Sequence, residues 1–289
     1  MSENLRIAVI THAIDQFENS NYLLNKLASH WSDRGIAIVI LRGPDVTPPK
    51  ADIAISHIDI TQTTEEYSRL FGHYPLVING NVLDISKSII SDQIVKRDSG
   101  FQGPVLVKTD MNFGGMRELK ARIDSGQHNA AIDIQRPWRK VEFLQEYPIY
   151  ESAGQVPSGV WRNPNLVVEK FRPEQNEEGQ YVLRVWVFLG DREIYYQCVS
   201  DEPIIKSHNT IRRQDLDSST LPPELREKRQ QLGFDYGKFD FGLSDGKLVL
   251  YDVNRTPGSG GSGKPNPRAE KSIFNLSKGL DAFLTNITR

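Results

Sequence analysis

A chain of 289 residues with 38% apolar and 25% charged side chains is large enough for one big domain or two to three lobes with their own cores. Its net charge of -2 gives no global pull toward nucleic acid or a membrane surface, and its one cysteine, Cys198, excludes an internal disulfide and a cysteine-cluster metal centre. No apolar run reaches the length of a secretory leader or a membrane span, so the expected compartment is the cytosol.

In chain order, LRIAVI reads as a strand, followed by the polar turn THAIDQFENS. NYLLNKLASHW has helical spacing, with Asn19 or Ser20 as its cap and Gly35 at its end. IAIVIL is a second strand, and ADIAISHID and PLVING are two more, separated by the short helix TTEEYSRLF. Strands apolar throughout that alternate with helices predict a parallel sheet covered on both faces, so residues 1 to about 82 form a small α/β lobe.

A helix is predicted from 84 to about 97, with Asp84 as cap and SGFQGP as its stop. GPVLVK is a buried strand ending on Lys108, TDMNFGG is a loop carrying Gly114 and Gly115, and MRELKARI has helical spacing. Residues 126–165 show no clear period and read as irregular or inserted. NLVVEKF resumes strand character, and YVLRVWVFLGDREIYYQCVS is a hairpin turning at Gly190-Asp191. Cys198 falls inside its apolar second arm and is expected to pack rather than to react. Residues 201–220 read as loop, LPPELREKRQQLG as a helix entered through Pro222-Pro223, and FDYGKFDFGLSDGKLVLYDVN as a second hairpin turning at Asp245-Gly246. RAEKSIFNLSKGLDAFLTNI is a closing amphipathic helix.

The chemistry concentrates near the C-terminus. Alternation along a strand puts Asp252 and Asn254 of YDVNRTPG on one face, and Pro257 and Gly258 then end the strand. Asp240 lies twelve residues earlier on the other arm, so it can face Asp252 across the ladder within reach of one cation. Three oxygen donors on one face suit magnesium, which keeps its other positions for water and phosphate. Lys108 and Arg184 would neutralise phosphates, although a strand-end lysine also snorkels and Arg184, set among Leu183, Val185 and Trp186, also fits a structural salt bridge. His57 and Asp59 read as structural or substrate-lobe residues. Arg255, Lys264 and Arg268 read either as a solvated basic turn or as contacts for an anionic substrate. Trp138, Trp161 and RPWRK are too little for a nucleic-acid surface on an acidic chain.

The order PVLVKTDMNFGG, LVVEKF, LRVWVFLGD and KFDFGLSDGKLVLYDVNRTPG resembles the ATP-grasp superfamily, which includes D-alanine–D-alanine ligases, glutathione synthetases and ribosomal-protein glutamate ligases. The resemblance runs from about residue 84 to the C-terminus. It implies an α/β (α+β grasp) fold: a small parallel-sheet pre-ATP-grasp lobe over 1–83, then a two-subdomain ATP-grasp domain over 84–289, divided near 170. It implies that Lys96 and Lys108 contact nucleotide phosphates beside Gly114 and Gly115, and that Glu169, Lys170 and Phe171 form the hinge that reads adenine. Glu174, or Glu177 or Glu178, would hold the ribose. Arg184 would lie near the reacting phosphate, and Arg213, or Arg212, would steady the acyl phosphate. Asp240, Asp252 and Asn254 would bind magnesium, or manganese in its place. The 61-residue interval from Lys108 to Glu169, the short glycine loop and the compressed segment before the grasp depart from the pattern.

The resemblance therefore implies a cytosolic, ATP-dependent ligase that joins an amino-acid-like or peptide-like carboxylate to an amine through an acyl phosphate, as a monomer or homo-oligomer, with neither nucleic acid nor membrane as partner. A small-molecule kinase on the same fold and a nucleotide-binding module without turnover are the alternatives. Nothing in the chain assembles a nucleophilic triad, and an acyl-phosphate route needs none.

Overall fold

The computed structural model describes residues 5–126, 137–260 and 267–285. Strands β1 (Arg6–Thr11), β2 (Ala37–Arg42), β3 (Ile53–His57) and β4 (Val77–Ile78) form a parallel sheet in the order β2-β1-β3-β4. Its two faces follow from alternation. Ile7, Val9, Ile53 and Ile55 pack toward helix α1 (Leu23–Asp33), whereas Ala8, Ile10 and Ala54 pack toward α2 (Glu65–Phe71). Neither Asn19 nor Ser20 caps α1: Tyr22 holds the cap position, the Ser20 hydroxyl donates to the Phe17 carbonyl, and the Leu23 amide donates to the carbonyl of distant Pro257.

The helix expected over 84–97 contracts to α3 (Lys87–Ile90). The segment behind it is drawn out beside a second sheet, in which β5 (Val105–Thr109) runs between β6 (Ile149–Tyr150) and β7 (Leu166–Lys170). Val95 donates its amide to Val168, Lys170 donates to Gln93, and Ile94 bridges Glu169, so tertiary pairing overrides helical propensity there. Helix α4 (Met116–Asp124) follows the glycine loop.

The third sheet carries β8 (Glu174–Gln175), β9 (Tyr181–Leu189), β10 (Arg192–Ser200), β11 (Arg212–Asp215), β12 (Tyr236–Ser244) and β13 (Lys247–Asn254), in the order β11-β10-β9-β12-β13 with β8 on β9. Both hairpins turn where the sequence predicts, and Asp245 and Gly246 share the positive φ that suits a tight hairpin turn. Strand β11 lies in the span read as loop; its RRQD has no apolar alternation to betray it. Helix α5 (Pro223–Gln231) covers one face of the sheet. The closing helix is broken into α6 (Pro267–Ser277), a single tight turn and α7 (Asp281–Leu284). The break falls where backbone meets backbone: a Cβ on Gly279 would lie 2.0 Å from the Leu189 carbonyl oxygen, at the turn of the first hairpin.

The first lobe does not keep its core to itself. Leu24, Leu27 and Trp31 of α1 share one cluster with Val185, Val187 and Leu189 of β9 and with Ile273 and Leu276 of α6. The Trp31 indole N–H donates to the Ser277 carbonyl at 2.8 Å. No helix among the described residues is long and apolar enough to cross a membrane.

Candidate active site

The second hairpin sets Asp240 opposite Asp252 and Lys238 opposite Asn254. The register slips just beyond, at Tyr251, which stands as an extra residue on β13. All four side chains therefore share the sheet face that carries Val185 and Val187, while Phe239, Phe241 and Val253 enter the aromatic core on the other face. The Lys238 ammonium lies 2.8 Å from Oδ2 of Asp240, and Oδ1 of Asp240 is buried without a partner. Burial, reinforced by Asp252, pushes the Asp240 carboxyl above its ordinary value despite Lys238. Burial alone would lower Lys238, but the adjacent Asp240 outweighs it and holds the ammonium high. Asn254 accepts from the Thr256 amide at 2.8 Å.

Two further lysine–carboxylate pairs close on the same place. Lys87, at the start of α3, reaches Oδ1 of Asp252 at 2.5 Å. Lys108 of β5 pairs at 2.7 Å with Oε2 of Glu169 on β7 and donates to the Tyr251 carbonyl, which ties the second sheet to the bulge of the third. Oε1 of Glu169 is buried and unpartnered. Tyr147 overhangs this group, with Lys108 5.8 Å from its ring centre. Burial, then the charges of Asp252 and Glu169, keep its hydroxyl protonated well above the ordinary range.

The structure thus brings together Lys108, Glu169, Asp240, Asp252 and Asn254, and adds Lys87, Lys238 and Tyr147, which the sequence reading did not single out. Lys238 had a legible signal, since a lysine two residues before Asp240 on a strand shares its face. Lys87, in SKSII, reads as an ordinary solvated helix residue, and only the tertiary placement of α3 buries it.

Other expected residues stand elsewhere. Lys96 is exposed beyond the segment that pairs with β7. Gly114 and Gly115 have positive φ, and the Cβ of an alanine at Gly114 would lie 2.1 Å from the Leu144 carbonyl oxygen, so this loop is fitted to the 143–144 segment. The amides of Lys170 and Phe171 donate to Gln93 and Pro104. Glu174 is buried and receives Arg184 along its Nε and terminal nitrogen, together with the Leu243 amide. Arg184 faces away from Asp240: it pairs across the ladder with Phe241 on the aromatic side and donates to the Tyr195 hydroxyl. Its conjunction with Glu174 is the salt bridge that the sequence left open. Glu177 and Glu178 are exposed between β8 and β9.

Arg255 is not a substrate contact. It is 1% exposed and donates to the carbonyls of Ile58, Ile60 and Val82, fastening the end of β13 to the first lobe. Arg268 pairs with Asp215, and Lys264 and Arg136 lie outside the described residues. His57 is fully buried with both ring nitrogens unpartnered, and burial pulls its pKa down to about 3. Cys198 is half-buried, and burial raises its thiol above the ordinary value.

Beside Lys238 opens a cavity of about 600 Å³, bounded by Tyr196, Arg213, the turn 258–260 and the start of α6. Arg213 stacks on Tyr196, its guanidinium carbon 3.6 Å from the ring centre, while Arg212 is exposed on the same edge strand. Among the described residues no cluster of three histidine, cysteine or acidic side chains assembles, so a cation here would rest on Asp240, Asp252 and an amide oxygen.

No family model matches the sequence, and no curated protein matches it. Solved structures do. A D-alanine–D-alanine ligase from Bacillus anthracis superposes with a TM-score of 0.50 at 12% identity, over 97% of this chain and 96% of that one. A RimK domain ATP-grasp protein from Sphaerobacter thermophilus DSM 20745 superposes with a TM-score of 0.50 at 13% identity, over 96% of this chain and 99% of that one.

Proposed function

From the ATP-grasp fold that this chain adopts, we propose that it is an ATP- and magnesium-dependent ligase joining a small carboxylate to an amine. The observation that carries this reading is the convergence of three lysine–carboxylate pairs, Lys87–Asp252, Lys108–Glu169 and Lys238–Asp240, between the second and third sheets. Lysines in that number suit a triphosphate, and the acids they now neutralise suit the cation that accompanies it. The donor set fits magnesium: Asp240 keeps one buried carboxylate oxygen unpartnered, and the Asn254 side-chain oxygen accepts the Thr256 amide at 2.8 Å, while the Thr256 hydroxyl, 3.2 Å from that oxygen, lies closer to Asp59 at 2.6 Å and has one hydrogen to give. Magnesium, or manganese in its place, would neutralise phosphate oxygens there. With the cation on these acids, Lys87 and Lys238 would be available to hold phosphate, and Lys108 would contact the α/β-phosphates.

The substrate carboxylate would enter through the cavity beside Lys238 and Arg213. Its oxygen attacks the γ-phosphorus as the bond to the ADP oxygen breaks. The amine nitrogen then attacks the acyl carbon, the carbon–oxygen bond to phosphate breaks, and the surplus amine proton leaves to solvent. Lys238 and Arg213, which line that cavity, would partner the negative charge of the acyl phosphate. Arg184 and Glu174 form a brace of the third sheet, away from this path.

The test is a screen of amino acids and small carboxylates for magnesium-dependent ADP release, with hydroxylamine as trap. A ligase yields a hydroxamate of its acid, whereas a kinase leaves a stable phosphate ester. Nucleotide binding with no ADP release across the panel would leave a module without turnover.

A further inference from the structure

We propose that Tyr251 is a positioning residue for the divalent cation: it is the inserted residue that turns Asp252 onto the cation face, and its hydroxyl fixes that turn to the crossing between the second and third sheets. The cation's role is taken from the ligase reading, whereas the positioning stands on the bonds of Tyr251 itself.

The side-chain pattern of β13 shows what the extra residue does. In a regular strand, alternate side chains share a face and adjacent ones do not. Leu248 and Leu250 pack into the aromatic cluster, and so does Val253, which stands at an odd interval from both. An uninterrupted strand that buried Leu248 and Leu250 would carry Asp252 and Asn254 into the same aromatic core. The bulge prevents this. Asp240 faces Asp252 and Phe241 faces Leu250, so Tyr251 has no partner on β12 and the strand changes face there. One added residue thus delivers Asp252 and Asn254 to the side where Asp240 and Lys238 stand. Bulges beside active sites re-aim side chains by this means.

A bulge interrupts the ladder, and Tyr251 is secured instead through both its main chain and its side chain. Its carbonyl accepts the Lys108 ammonium at 3.1 Å, from β5 of the second sheet. Its hydroxyl donates to the Arg172 carbonyl at 2.9 Å and accepts the Glu174 amide at 3.2 Å. Arg172 and Glu174 flank Pro173, where the chain crosses from β7 to β8. The hydroxyl is closely fitted. A Cβ on Gly242 would lie 2.2 Å from it, and the neighbouring Leu243 gives its amide to the Glu174 carboxylate at 2.7 Å. A phenylalanine would fill the same space and hold neither backbone group.

Asp252 follows Tyr251 directly, so what holds the one aims the other. The hydroxyl itself touches none of Asp240, Asp252 and Asn254; it acts through the main chain between them and the crossing. The second sheet also supplies Lys108, the lysine assigned to the nucleotide phosphates. Tyr251 therefore keeps the cation ligand and the phosphate ligand in one register, although they stand on different sheets.

Mn²⁺ binding to the full chain with ADP present, followed by electron paramagnetic resonance, tests this in wild type, Tyr251→Phe and Tyr195→Phe. Tyr195 is the matched control, since its buried hydroxyl takes a hydrogen bond from Arg184 in the same sheet, on the face away from the cation. A cooperative urea transition checks the fold of each variant. Only Tyr251→Phe is expected to weaken Mn²⁺, by about tenfold, the scale on which partners of metal ligands act. Absence of Mn²⁺ binding in wild type, unchanged binding in Tyr251→Phe, or an equal loss in Tyr195→Phe overturns the assignment. The ligase reading fails separately. Mn²⁺ binding that depends on Tyr251, with no ADP release across the substrate panel, keeps the positioning and removes the activity. ADP release with Mn²⁺ binding indifferent to Tyr251→Phe keeps the activity and removes the positioning.

Discussion

The ammonium of Lys87 and the carboxylate of Asp252 form an unequal pair: the lysine side chain is 2% exposed and the aspartate 33%. Breaking the pair from one side differs from breaking it from the other. Asp252→Ala strands a buried cation and is expected to cost about 3–5 kcal/mol, read as a lower urea midpoint. Lys87→Met leaves an acid that water can reach, so it costs less. It also removes the cation that competes for Asp252, and Mn²⁺ binding to the nucleotide-free protein, followed by electron paramagnetic resonance, is expected to tighten. Equal stability losses in the two variants would contradict the asymmetry.

Asp15 predicts a pH dependence of stability. Its carboxyl sits at about 6 in the folded chain against an ordinary 3.8, so the native state binds this proton more tightly than the unfolded state. Its contribution is complete below the ordinary value, is lost as pH rises through the interval up to about 6, and is level beyond. Burial drives the shift, Asp59 adds to it, and Tyr22, Arg117 and Arg42 oppose it. Asp15→Asn is therefore expected to stabilise at about pH 8 and to change little at about pH 4. Urea midpoints at the two values check this, and a shift of equal size at both contradicts it.

Arg255 binds carbonyls from three places with one guanidinium, and burial lowers its pKa to about 10. Arg255→Met leaves these buried acceptors unmet at about 1–3 kcal/mol each. The expected result is a large fall in thermal midpoint, together with faster amide exchange around 58–61, where the end of β13 meets the first lobe. Arg255→Lys is expected to recover little, since a single ammonium cannot reproduce the fork.

Gly114→Ala combines a left-handed backbone with a Cβ placed 2.1 Å from a carbonyl oxygen. The conformational part alone costs about 1–2 kcal/mol. Gly126→Ala has similar φ and nothing within 4 Å, so it isolates that part. Gly114→Ala is expected to be clearly the more destabilising in urea titrations.

Much of the architecture was legible because local signals agreed with it. The four apolar strands of the first lobe, both hairpin turns and the facing of Asp240 and Asp252 follow from alternation and turn chemistry. What escaped depends on contacts remote in sequence. The helix from 84 to 97 loses its second half to pairing with β7, and the last helix breaks where Gly279 meets the first hairpin. Among site residues, Lys108 and Glu169 could be found from strand ends, but their mutual pairing could not. Lys87 carries no periodic mark, and Arg184 looked like a phosphate ligand because a strand sequence does not reveal which face a neighbour such as Glu174 will fill.

The bond from Trp31 to Ser277 spans 246 residues. On a ribosome adding about 5–20 residues per second, the groove of α1 would wait on the order of 12–50 s for the helix that fills it. During that interval Leu24, Leu27 and Trp31 are open to solvent or to a chaperone. Maturation of the first lobe is thus tied to the synthesis of α6, and nascent chains halted before α6 are expected to aggregate more readily than chains that carry it.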